Sequence, residues 1–138
     1  MSLEQLVSLL DENEGIGKND AASNVQISIA NVKLRKNGIN EIPLEFAELL
    51  KKYNGLSYDG NVIFGIDTKT SFFPDLIEFN LDILKDQKTS CVILGQDDDN
   101  FLVYDYEPKQ YRIIDKDDFE EKVKTDDLTY AVAWILKI

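Results

Sequence analysis

The sequence predicts an α+β fold, with a single domain in which an antiparallel meander sheet packs against N- and C-terminal helices. Three observations carry that expectation. Apolar residues recur at helical intervals near both ends of the chain, and three strand-like runs separated by polar turns follow one another between residues 91 and 115. The third is size: 138 residues with 43% apolar content suffice for one core and not for two.

Each element has a local reason. Ser2-Leu3-Glu4-Gln5 has capping-box spacing and Leu3, Leu6, Val7 and Leu10 follow on one face, so a helix is expected near residues 3 to 13. Glu14 to Asn24 mixes glycine, asparagine and serine and reads as a loop that ends in possible N-caps. Residues 25 to 36 fit two patterns: Val25, Ile27 and Ile29 alternate as in a strand, whereas Ile27, Ala30 and Leu34 share a helical face. Pro43 suits a first helical position, and Phe46, Ala47, Leu49, Leu50 and Tyr53 form a stripe that stops at Asn54-Gly55, which reads as a C-cap.

Tyr58-Asp59-Gly60-Asn61 then reads as a turn and Val62 to Ile66 as a buried strand, with a further helix expected to start near Pro74. Cys91 to Leu94, the acidic turn Asp97 to Asn100, and Phe101 to Tyr106 form a hairpin. Tyr111 to Asp115 supplies the next strand. Asp117 is placed to cap a short helix through Phe119 and Val123, and Leu128 to Ile138 forms the last helix.

Composition narrows the chemistry. With no histidine, the chain has no imidazole to serve as base, acid or metal ligand, which excludes Ser-His-Asp and Cys-His mechanisms. One cysteine, Cys91, permits neither an internal disulfide nor a closed Cys/His zinc cage, and no metal or cofactor is expected. Its apolar surroundings in sequence make it a packed thiol. No basic leader or apolar run of the ~20 residues needed to cross a bilayer is visible, so a cytoplasmic protein without a membrane span is expected.

The chain carries 26 acids against 15 bases, for a net charge of −11. Twelve acids and five bases fall between Gly95 and Leu128, so much of the excess lies in one stretch. Such a surface does not suit nucleic acid, since phosphates need clustered bases and Lys33-Arg35-Lys36 reads as a helix end. A basic protein is the natural partner.

The segment Ile42-Pro43-Leu44-Glu45-Phe46 through Tyr53-Asn54-Gly55 resembles the hallmark of the SUKH superfamily, which includes the yeast Smi/Knr cell-wall regulators. Gly60-Asn61-Val62-Ile63-Phe64-Gly65-Ile66-Asp67 resembles the YrhA-like bacterial branch. Ile93-Leu94-Gly95, the acidic turn and Phe101 to Asp105 are similar to that family's glycine-to-Tyr-Asp hairpin. Pro43, Asn54, Gly55, Gly65 and Gly95 are the structural positions of these motifs. The departures are Ile42, where leucine is commoner, and the β-rich segment before it. The resemblance favours a helix for residues 25 to 36.

What the resemblance implies is a non-enzymatic binding domain. Bacterial members include immunity proteins that neutralise polymorphic toxins, often nucleases, and the yeast members are regulatory scaffolds with endogenous partners. No catalytic residues carry over. Candidate partner contacts are Asp97, Asp98, Asp99, Tyr104, Asp105, Glu107 and Tyr58, with Asp115, Asp117, Asp118, Glu120 and Glu121 extending the anionic surface. The Asp97 cluster lacks EF-hand spacing, because Leu102 and Pro108 stand where that loop needs glycine and glutamate. It also reads as a solvated hairpin tip. Leu102, Tyr104 and Tyr106 share one strand face and Phe101, Val103 and Asp105 the other, so only one row can meet a partner. Trp134 reads as core.

Overall fold

A computed structural model describes residues 1–68, 75–84 and 90–138. The chain is α+β, with a seven-stranded antiparallel sheet whose spatial order follows chain order. Helix α1 (Leu3–Glu12) starts on the Ser2/Gln5 capping box, and the two-residue edge strand β1 (Gly17–Lys18) follows. Helices α2 (Asn24–Lys36) and α3 (Leu44–Leu50) precede the β2 (Leu56–Tyr58) and β3 (Asn61–Ile63) hairpin. Helix α4 (Leu76–Leu84) leads into β4 (Cys91–Gln96), β5 (Asn100–Asp105), β6 (Gln110–Asp115) and β7 (Glu121–Thr125), and α5 (Leu128–Leu136) closes the chain.

The ambiguous segment is helical because Ser23 and Gln26 form a second capping box, while Ile27, Ala30 and Leu34 bury one face. Its last turn carries Lys33, Arg35 and Lys36, beside the negative end of the helix dipole. The turn at Asp59-Gly60 has φ of 51° and 84°, the left-handed pair that lets a two-residue loop follow the twist of its strands. Helix α5 is capped by Asp127 and packs across β3, β5, β6 and β7. Buried side chains from each described helix and from β2 to β6, among them Leu6, Leu34, Phe46, Leu76, Leu102 and Ile135, form one core.

Several expectations are corrected. The short helix after Asp117 does not form: Asp115 accepts from the backbone N–H groups of Asp117 and Asp118, which tightens a turn into β7. Phe119 and Val123 have helical spacing, yet Phe119 takes φ of 59° and breaks any helix there. The buried strand expected to reach Ile66 stops at Ile63. Pro43 stands one residue before the helix, and α3 ends on Lys51 rather than at Asn54-Gly55. Trp134 is half-buried at the core margin, with the Lys137 Nζ 4.5 Å from its ring centroid. Pro74 lies outside the described residues.

Asn54 has a different task from capping. Its buried side chain accepts from the Ile66 N–H at 2.7 Å and donates to the Ile66 carbonyl at 2.7 Å, standing in for a missing strand neighbour. Gly65 makes the approach possible, since a Cβ there would lie 2.3 Å from the Asn54 carbonyl oxygen. Gly95 is a second position that admits no side chain. It sits inside β4 beside the Ile93/Gly95 irregularity, where a Cβ would meet the Val62 carbonyl oxygen at 2.6 Å. Asn80, which nothing in the sequence marks, repeats the Asn54 device from α4 by bonding both backbone polar groups of Ile93.

Candidate protein-interaction site

The two faces of the central strands meet different surroundings. Tyr104 stands opposite Tyr111 across β5 and β6, and on this face Tyr104 rings lie 4.8 Å from those of both Tyr106 and Tyr111. Tyr106 donates its hydroxyl to the Glu41 carbonyl ahead of α3, and Tyr111 is buried. Burial pushes the Tyr106 phenol up to about 12 and raises Tyr111 further, so both stay protonated at neutral pH. Glu45 at the start of α3 is raised by desolvation and then by Asp127 and Asp126. This row belongs to the packing between sheet and helices. Tyr104, singled out from the sequence, is half-buried within it.

The opposite face is open over part of its area. Register sets Phe101 beside Ile114, Val103 between Ile93 and Arg112, and Asp105 between Cys91 and Gln110. Of these residues Cys91, Ile93, Phe101, Val103, Arg112 and Ile114, together with Leu84 from the end of α4 and Phe119 from the β6–β7 turn, line a groove of about 150 Å³. The lining is aliphatic and aromatic apart from Cys91 and Arg112. Arg112 is held by Glu121 at 2.7 Å and Asp105 at 3.2 Å, so its charge is already answered.

Phe119 is the unusual member. It is 42% exposed while its backbone is left-handed, a conformation that costs a bulky residue on the order of 1–2 kcal/mol. An exposed aromatic held in a strained turn at the mouth of an apolar groove has the make-up of an interface anchor.

Acids surround that end of the sheet. The β4–β5 and β6–β7 turns are joined by the Lys116 N–H, which donates to the Asp99 carbonyl at 3.0 Å, and Asp98, Asp99, Asp117, Asp118 and Glu120 are exposed on them. Asp97 is different: it is 5% exposed and buried under its own turn. Burial works against its charge, but hydrogen bonds from Lys137 at 2.6 Å, from the Asn100 side chain and from the Asp99 and Asn100 N–H groups outweigh it and hold its carboxyl below the usual aspartate value. Asp97 therefore shapes the tip and ties it to the C-terminus of α5.

The anionic surface read from the sequence is divided by the length of β5. Asp105 and Glu107 lie at the far end of that strand, about 17 Å from the Asp97–Asp99 turn. Asp105 accepts from Ser90 and Arg112, and only Glu107 of that pair is fully exposed. Tyr58 is half-buried at the β2–β3 turn, on a strand separated from the groove by β3. Leu84, Ile93, Arg112, Ile114 and Phe119 line the groove without having been singled out from the sequence, and Cys91 was read there as a packed thiol. The signal available for Phe119 was slight, a lone aromatic inside an acidic run.

Among the described residues no group of three or more cysteine, aspartate or glutamate side chains converges to hold a metal, and no helix is long and apolar enough to cross a membrane. No protein-family model matches the chain, and no curated protein is significantly similar to it.

Proposed function

We propose that this chain is a non-enzymatic protein-binding domain that acts as a bacterial immunity protein, neutralising a toxin by occupying its surface. The observation that carries the reading is the coincidence of an apolar groove, an exposed strained Phe119 and the cluster of exposed acids on the adjoining turns. Such a site fits a basic toxin domain: an apolar side chain of the toxin enters the groove, Phe119 packs against its surroundings, and lysines or arginines meet Asp98, Asp99, Asp117 and Asp118. The charges accelerate encounter, and the buried anchors set the lifetime of the complex. The resemblance to the SUKH superfamily points the same way.

Co-expression tests the proposal. The protein is produced together with the toxic C-terminal domain encoded next to its gene, and survival and complex formation are scored. Protection with a recovered stoichiometric complex is expected. Continued killing with no complex rejects the immunity reading for that pair, and a complex with an endogenous protein in its place would assign the domain to regulation.

A further inference from the structure

Two flat groups in the groove have nothing stacked on them. Arg112 spends its polar edge within the chain, since Nε donates to Glu121 at 2.7 Å and Nη1 to Asp105 at 3.2 Å. Both bonds lie in the guanidinium plane, so the surface it has left for an occupant is its flat face. Among the described residues no aromatic ring lies over that face. The 42% exposed Phe119 ring likewise has no aromatic or cationic neighbour among them, whereas Phe101 already meets Phe79 edge-on and has Lys116 over it.

The rest of the lining offers no open polar group. The Cys91 thiol is bonded to Asp105, and Leu84, Ile93, Val103 and Ile114 are aliphatic. A hydroxyl, amide or charge carried into the groove would lose its water and find no partner. Size narrows the occupant further, because about 150 Å³ of apolar space accommodates one benzene-sized ring. Between such a ring and an aliphatic group of the same bulk, the cationic face of Arg112, the Phe119 ring and the Cys91 sulfur all favour the ring.

We propose that the groove is a pocket for a phenylalanine side chain of the partner, its ring stacked on the Arg112 guanidinium and packed against Phe119. Asp117 and Asp118, exposed on the turn that carries Phe119, select lysine or arginine beside that phenylalanine. The recognised feature is therefore a phenylalanine flanked by basic residues on an exposed segment of the toxin. The inference rests on the reading of the groove as the contact surface, and it narrows the occupant from any apolar side chain to one.

Capped tripeptides test it on the full chain. Acetyl-Lys-Phe-Lys-amide is titrated beside the same peptide carrying cyclohexylalanine, which is close to phenylalanine in size and lacks its π-system, while methyl NMR signals are followed. The phenylalanine peptide is expected to bind with a Kd on the order of 1 mM and to shift the Ile93, Val103 and Ile114 methyls by ring current. It should bind about three- to tenfold tighter than the cyclohexylalanine peptide. Arg112→Lys keeps the charge between Asp105 and Glu121 but not the flat face, and is expected to erase that preference with the far-UV spectrum of wild type. The wild-type comparison stands whether or not the variant folds. No methyl shifts at peptide concentrations up to about 10 mM, equal affinity for the two peptides, or a preference that persists in a folded Arg112→Lys would overturn the proposal. These readings use no toxin. Their failure beside a protective toxin complex removes the phenylalanine pocket alone, and a bound phenylalanine peptide beside continued killing removes the immunity reading alone.

Discussion

At the residue scale, two buried asparagines and two glycines decide where backbone segments can meet. Asn54 supplies hydrogen bonds that a strand would otherwise give to Ile66, and Gly65 clears the space for it. Replacing Asn54 with alanine orphans a buried N–H and a buried carbonyl, which costs about 2–3 kcal/mol. Gly65→Ala drives a methyl into backbone that has no freedom to move and costs about 3 kcal/mol. Urea denaturation of both variants checks this, with lowered midpoints and unchanged slopes expected.

Asp97 adds a pH dependence whose sign is fixed. Its folded-state value lies below that of an unfolded aspartate, so its contribution is present above pH of about 4 and is lost as the pH falls through the folded value. Wild type should therefore lose stability in acid more steeply than Asp97→Asn, the two curves converging at low pH. Thermal midpoints between pH 2 and 7 measure the difference. Parallel curves would mean that the Lys137 contact at 2.6 Å contributes nothing.

At the element scale, the β6–β7 turn is the least expected piece of the fold. Phe119→Gly removes the left-handed strain there, so it should leave stability unchanged or raise it by about 1 kcal/mol, as read by thermal denaturation. Helix α1 was legible because its start signal is local: Ser2 and Gln5 act within one turn. Segment 25 to 36 was not, because the exposed Val25 and Ile29 interleave with the buried Ile27 and so imitate strand alternation. Strand β7 escaped notice for the opposite reason. It is an edge strand in which only Val123 and Thr125 are partly buried, so its pattern is too polar to announce a sheet. The groove was illegible in principle, since cross-strand register brings Cys91, Val103 and Arg112 together and no short stretch of sequence records that.

At the scale of the whole molecule, the net charge of −11 is distributed unevenly over the fold. The exposed acids of the two turns beside Phe119 lie together, whereas Asp105, Asp115 and Glu121 are engaged by Arg112 or Lys122. Association with a basic toxin domain is therefore expected to slow by about tenfold or more between low and high ionic strength, while dissociation changes little. Stopped-flow measurement separates the two rates. A salt-independent association rate would remove electrostatic steering from the account and leave the apolar anchor.

The most direct measurement is calorimetric titration of that toxin domain with wild type and with Phe119→Gly, beside their melting curves. Binding should weaken by about tenfold or more in the variant, the loss of one buried aromatic anchor, with a thermal midpoint equal to or above that of wild type. Equal affinities for the two proteins would contradict the placement of the partner at the groove.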